Sequence, residues 1–256
     1  ETKPEEVKEE KKELINFEDF EKIEMKIAQV IACEKVEKSD KLSNITIMLP
    51  RNEPVIDLEI SIDDDAQMLE CDPYTYAKPI VFYGSSITEG GCSSTVGKCY
   101  TALVTRWLDS DYINLGFSGN AKGEQTMASY IKNLDMSIFV MDYDHNAPTV
   151  EHLDATHEPF FKTIREANPN LPILIMTKPD FDFGKSENIK RREIIKRTYE
   201  NAIANGDKNV YFIDGETFFG DKDRSLCTVE KCHPTDLGFM KMAEVVYPVL
   251  KSILEK

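Results

Sequence analysis

From residue 80 onward, short apolar runs alternate with longer stretches of mixed polarity, and this happens five times. Residues 80–83, 113–117, 138–141, 172–176 and 210–213 are dominated by aliphatic and aromatic side chains. Continuous runs of this kind mark strands buried on both faces. Between them, residues 100–108, 124–134, 152–167 and 187–204 have the length and pattern of helices, and Thr235 or Asp236 caps a last helix running to about residue 254. A crossover between parallel strands takes a dozen or more residues, which a helix supplies. The expected fold is therefore α/β, a three-layer α/β/α flavodoxin-like sandwich around a five-stranded parallel sheet.

Ahead of residue 78 the pattern differs. Residues 1–14 are a Glu/Lys run, read as a charged tail. Residues 15–77 read as a small β-rich N-terminal segment. Met25-Lys26-Ile27-Ala28-Gln29-Val30-Ile31 alternates apolar and polar, and Ile45-Thr46-Ile47-Met48-Leu49 and Val55-Ile56-Asp57-Leu58-Glu59-Ile60 look like further strands. Residues 78–256 form the main domain.

Composition narrows the function classes. A net charge of −15 argues against broad affinity for nucleic-acid phosphates. No apolar run approaches the roughly 18 residues of a membrane helix, so no membrane insertion is expected. The charged opening residues hold no signal-peptide core, which points to a cytoplasmic protein, with a removed leader left open because the chain starts at Glu1. Six cysteines without a C-x-x-C pair argue against a disulfide scaffold or a structural zinc site. Reduced thiols are expected, with a Cys227–Cys232 pair left open.

In an open parallel sheet, ligands bind beyond the carboxyl ends of the strands. The first three strands lead at those ends into Gly84-Ser85-Ser86-Ile87-Thr88-Glu89-Gly90-Gly91, Gly116-Phe117-Ser118-Gly119-Asn120 and Asp142-Tyr143-Asp144-His145-Asn146. Just before the last helix comes Glu230-Lys231-Cys232-His233-Pro234. A serine among glycines, a second Gly-rich turn, an Asn and a His thus converge on one edge. Acyl transfer needs such a set: a hydroxyl whose proton a neighbouring His accepts, a carboxylate to orient the imidazole, and donors for the developing oxyanion. Each residue alone has a plain structural explanation. Ser85 or Ser86 could be a helix cap, Gly119 a turn glycine, Asn146 a cap before Pro148, His233 a loop histidine. Four of them at four strand ends outweigh that. Asp142, Asp144 and His145 offer metal-ligand chemistry, but in a loop after a strand they are not read as a metal site. No metal or organic cofactor is expected.

These blocks resemble the SGNH (GDSL-type) hydrolases over residues 78–256. Gly84-Ser85-Ser86 is similar to that family's nucleophile block, which implies Ser86 as nucleophile. Asn114 through Gly119 resembles the second block, with Gly119 as oxyanion donor. Asp144-His145-Asn146-Ala147 resembles the third, with Asn146 as oxyanion Asn. Glu230-Lys231-Cys232-His233-Pro234 resembles the final Asp-x-x-His-Pro, with His233 as base. Two positions depart from the pattern: Ser85 stands where the family has Asp, and Glu230 replaces the usual triad Asp. The longer Glu side chain must fold back to reach the imidazole, and Asp223 or Asp221 are the alternative acids.

Residues 15–42 resemble the start of the tRNA-binding OB domain of bacterial methionyl-tRNA synthetases, but the chain does not continue with the remainder of that domain. Residues 15–62 are expected to form a few strands packed on the main domain rather than a closed OB barrel, and the chain reads as a fusion. The function expected is a serine esterase acting on short-chain acyl esters, including carbohydrate acetyl esters. A lysophospholipase- or thioesterase-type acylhydrolase and a tRNA-binding module are the alternatives. The sequence leaves the oligomeric state open.

Overall fold

The computed structural model describes residues 67, 72–179 and 182–256 in full and residues 29–35 and 43–48 as backbone strands. β1 (Gln29–Lys35) and β2 (Ser43–Met48) pair antiparallel in a two-stranded sheet. The strand expected at residues 55–60, and the rest of the segment whose packing and barrel closure were at issue, lie outside the described residues.

The main sheet has five strands: β3 (Tyr76–Gly84), β4 (Ser110–Gly116), β5 (Ile138–Asp142), β6 (Ile173–Met176) and β7 (Val210–Ile213). They run in the order β4-β3-β5-β6-β7, and every neighbouring pair is parallel. The helices are α1 (Ser86–Glu89), α2 (Tyr100–Leu108), α3 (Gln125–Ile131), α4 (Val150–Ala167), α5 (Lys185–Ala204) and α6 (Asp236–Leu254). This is the expected three-layer α/β/α sandwich.

Successive strand side chains point to opposite faces, and both faces are dry. Ile80, Phe82, Ile138, Val140, Leu174 and Met176 pack with α2 and α6 residues such as Tyr100, Val104, Phe239 and Val246. Val81, Tyr83, Phe139, Met141, Ile173 and Ile175 pack with α3, α4 and α5 residues such as Ile131, Phe160, Ile164 and Ile195. A strand that alternates between two apolar layers has no polar face to show, which is why the runs read as unbroken.

Helix starts follow cap chemistry. The Thr149 side chain accepts from the His152 N–H at 3.1 Å, so α4 begins two residues earlier than periodicity indicates. Thr235, not Asp236, caps α6, accepting from Gly238 N–H at 3.2 Å. Among the described residues no helix is long and apolar enough to cross a membrane.

One buried acid ties the sheet to the strand-end loops. Asp142, last residue of β5 and 4% exposed, accepts hydrogen bonds from Tyr100 Oη at 2.8 Å and Thr88 Oγ1 at 2.9 Å. Burial pushes its carboxyl up to about 7, against the lowering effect of these donors. Because the folded pKa lies above the ordinary 3.8, this group stabilises the fold at acid pH and loses that contribution as pH rises through about 7. The fall in melting temperature from pH 5 to pH 8 should therefore be smaller in Asp142→Asn than in the wild type. Equal slopes in thermal denaturation would show that Asp142 is ionised in the folded state throughout that range.

Candidate active site

The nucleophile turn is set by a division of labour between two serines. β3 ends at Gly84, and Ser85 is the N-cap of α1, its hydroxyl accepting from Ile87 N–H at 3.1 Å. The Ser85 hydroxyl is thus occupied in capping, while Ser86 opens the helix with its own hydroxyl turned elsewhere. Gly84 cannot be replaced: a Cβ there would lie 2.0 Å from Thr88 Oγ1 and 2.5 Å from the Asp142 carbonyl. Gly90, at φ 99°, ends α1, and the N–H groups of Gly90 and Gly91 donate to Ser86 O at 3.0 and 2.7 Å.

The histidine lies in a tight hairpin before α6. Thr228 bridges Pro234, Val229 N–H donates to His233 O at 2.9 Å, and Thr235 N–H donates to Cys227 O at 2.9 Å. Gly238 lets α6 approach this hairpin, since a Cβ there would sit 2.1 Å from Cys227 O. His233 Nε2 is 2.7 Å from Ser86 Oγ. On the other side of the ring, Nδ1 makes a short contact with the Glu230 carboxylate, which also accepts from His233 N–H at 3.2 Å. The extra methylene of Glu230 is accommodated by this fold-back over Lys231, at φ 69°. Hydrogen bonding to His233 holds the Glu230 carboxyl below its ordinary value, although the side chain is half exposed. Asp223 instead precedes the Arg224–Leu226 turn, and Asp221 lines a surface groove with Arg224. Among the described residues, the carboxylate on His233 is that of Glu230.

The remaining two candidates come together through the backbone of Phe117. Phe117 N–H donates to Gly84 O at 2.9 Å, tying the second loop to the nucleophile turn. The Asn146 amide donates to Phe117 O at 2.8 Å, and two residues beyond Phe117 stands Gly119, at φ 69°, with open space where a Cβ would point. Asn146 ends a 3-10 turn (Asp144–Asn146) that is pinned from below. Arg191 of α5, nearly buried, donates to the carbonyls of Asp144 and Ala147, both at 2.9 Å. Lys178 N–H donates to Asp144 Oδ2 at 3.1 Å.

His145 joins this turn to the histidine hairpin, its Nε2 lying 2.7 Å from Cys232 Sγ. Burial, helped by nearby Lys178, pushes His145 down to about 4, so it is neutral at pH 7. Asp142, Asp144 and His145, the residues with metal-ligand chemistry, each face protein partners. No disulfide joins Cys227 and Cys232, so the pair left open by the sequence is not formed. Arg191 and the His145–Cys232 contact escaped sequence reasoning. Arg191 sits mid-helix among other basic residues, Lys190 and Arg192, so no local pattern sets it apart.

The comparisons with known proteins place the domain in a family. The model of the GDSL-like lipase/acylhydrolase family matches residues 77–251. Among solved structures, a GDSL-like lipase candidate from Bacteroides ovatus is 28% identical, with a TM-score of 0.71 over 84% of this chain and 68% of that one. The salicylyl-acyltransferase SsfX3 of a tetracycline biosynthetic pathway is 22% identical, with a TM-score of 0.60 over 70% of this chain and 56% of that one. A family two carbohydrate esterase from Clostridium thermocellum, in complex with cellohexaose, is 18% identical, with a TM-score of 0.56 over 73% of this chain and 67% of that one. These last two show the fold. Separately, a methionine–tRNA ligase of Deinococcus radiodurans is 56% identical over 36 residues, 14% of this chain and 5% of the ligase. Residues 77–251 are a carboxylic ester hydrolase domain, and the chain belongs to the GDSL-like lipase/acylhydrolase family.

Proposed function

We propose that the protein is a serine esterase removing short acyl groups, acetyl from carbohydrate among them, with Ser86 as nucleophile, His233 as general base and Glu230 as the orienting acid. The observation that carries this reading is the unbroken chain from Ser86 Oγ through both ring nitrogens of His233 to the Glu230 carboxylate. In the proposed mechanism His233 Nε2 takes the Ser86 proton as Oγ attacks the ester carbonyl. Glu230 stabilises the imidazolium, which then returns the proton to the leaving alcohol. A water activated by the same histidine releases the acid.

The oxyanion is assigned to the backbone N–H groups of Ser86 and Gly119 and to the Asn146 amide. Asn146 donates one amide proton to Phe117 O and keeps the second available. Under this assignment Asn146→Ala should cost roughly 3 kcal/mol of barrier, a hundredfold or more in kcat. A rise in KM with kcat unchanged would mean that Asn146 holds substrate rather than stabilising charge.

Two apolar side chains favour a second reading, an acylhydrolase of the lysophospholipase or thioesterase type. Phe117, 38% exposed, adjoins the proposed oxyanion site, and Val229, 61% exposed, lies in the hairpin of His233. Either could receive a longer acyl chain. The net charge of −15 offers nothing to attract anionic lipid head groups, which supports the first reading. A series of p-nitrophenyl esters, run beside an acetylated oligosaccharide, separates the two. The short-chain reading expects kcat/KM to fall steadily beyond acetate and acetate release from the oligosaccharide. A maximum at octanoate or longer would replace it with the second.

A further inference from the structure

We infer that the active site doubles as an inhibitory site for a borderline-soft divalent cation such as Zn2+, built from Cys92, Glu230 and His233. Only the inhibitory effect rests on the catalytic reading given under Proposed function, since the ligand cluster stands on geometry. Potential ligand atoms of the three residues, the Cys92 sulfur, a Glu230 carboxylate oxygen and a His233 ring nitrogen, all lie within 4.8 Å of one another. The turn after α1 brings the thiol there: a Cβ on Gly91 would sit in ordinary contact, 3.4 Å from His233 Cδ2, so Gly91, next to Cys92, runs beside the imidazole edge.

The donor set matches the ion. Thiolate, imidazole and carboxylate are the ligands Zn2+ takes, with bonds of about 2.0–2.3 Å. Two such ligands around a tetrahedral ion sit roughly 3.5 Å apart, so no pair in the cluster has to close by more than about 1.3 Å. Cys92 and Glu230 are both exposed and can move that far by changing rotamer. Three protein ligands leave a fourth position for water. On binding, the Cys92 thiol releases its proton to solvent, the sulfur and carboxylate each give an electron pair to the metal, and nothing is oxidised or reduced.

Either ring nitrogen leads to the same outcome. A cation on Nε2 occupies the lone pair that would accept the Ser86 proton. A cation on Nδ1 takes that nitrogen from the Glu230 carboxylate, which becomes a ligand of the ion, and leaves the neutral ring protonated at Nε2, where it can donate but not accept. The hydrolase is silenced in both cases.

The test uses the whole protein, Zn2+, Co2+ and p-nitrophenyl acetate. Zn2+ should inhibit the wild type, and EDTA should reverse this. Cys92→Ala should keep basal hydrolysis and need at least roughly tenfold more Zn2+ for half-inhibition, since losing even an outer partner of a metal site costs that much. Cys232→Ala, which removes the other thiol near the site, should leave Zn2+ sensitivity where it was. Independently of activity, Co2+ should give a thiolate-to-metal charge-transfer band in the wild type that is absent in Cys92→Ala. Unchanged Zn2+ sensitivity in Cys92→Ala, loss of sensitivity in Cys232→Ala instead, or Co2+ binding without the thiolate band would each overturn the site. A wild type with no esterase activity but with the Cys92-dependent Co2+ band would overturn the catalytic reading and leave the metal site standing.

Discussion

Ser86→Ala is expected to lower p-nitrophenyl acetate hydrolysis by at least about a thousandfold, because members of a triad act as a unit and the remaining groups have no nucleophile to serve. The fold should be untouched. The Ser86 side chain bonds His233 and caps nothing, the capping hydroxyl being that of Ser85. Far-ultraviolet circular dichroism and the melting temperature should match the wild type. Ser85→Ala should behave in the opposite way, costing about 1 kcal/mol of stability through the lost cap while keeping most of the turnover. The assignment fails if hydrolysis survives in Ser86→Ala and disappears in Ser85→Ala.

Glu230→Gln is expected to cost up to about 10⁴ in kcat, the penalty for removing the carboxylate from a working triad. The amide keeps the shape of the side chain but loses the charge that stabilises the imidazolium. It can also present N–H₂ to Nδ1, which favours the wrong tautomer. Asp223→Asn should be near-native, because Asp223 belongs to the Arg224–Leu226 turn. Near-native turnover in Glu230→Gln together with collapse in Asp223→Asn would transfer the role. Glu230→Asp probes the fold-back directly. A gain would mark the longer chain as a tolerated compromise, and a loss would mean that the hairpin, with Lys231 in left-handed backbone, has adapted to Glu.

The layer architecture was legible in the sequence because strands buried on both faces carry no polar alternation. Residues 80–83 and 138–141 therefore stood out as unbroken apolar runs. Strand ends were less legible. β4 starts at Ser110, three residues ahead of the apolar run, because Ser110 pairs with Tyr76 through the backbone. Backbone pairing leaves no side-chain signature. Two proline-containing helices, α4 with Pro159 and α6 with Pro248, also run through residues that sequence rules would treat as breaks. Their packing on the two sheet faces outweighs the lost hydrogen bond.

The candidate site divides in the same way. Residue types at strand ends were enough to nominate Ser86, Gly119, Asn146, Glu230 and His233, since an open parallel sheet delivers its strand ends to one edge whatever lies between them. Between Ser85 and Ser86 the sequence chose only through the family resemblance, and the physical difference, that the Ser85 hydroxyl is spent on the helix cap, appears in the structure. It put Glu230 ahead of Asp223 and Asp221 by the same resemblance, whereas the contact itself depends on the turn at Lys231. Arg191 holds the Asn146 turn from 44 to 47 residues away, and His145 meets Cys232 across 87 residues. Contacts at such separations follow no local period and no cap or turn rule. They exist only once the helices have packed on the sheet and buried charges and polar groups have had to find partners, so tertiary structure alone decided them.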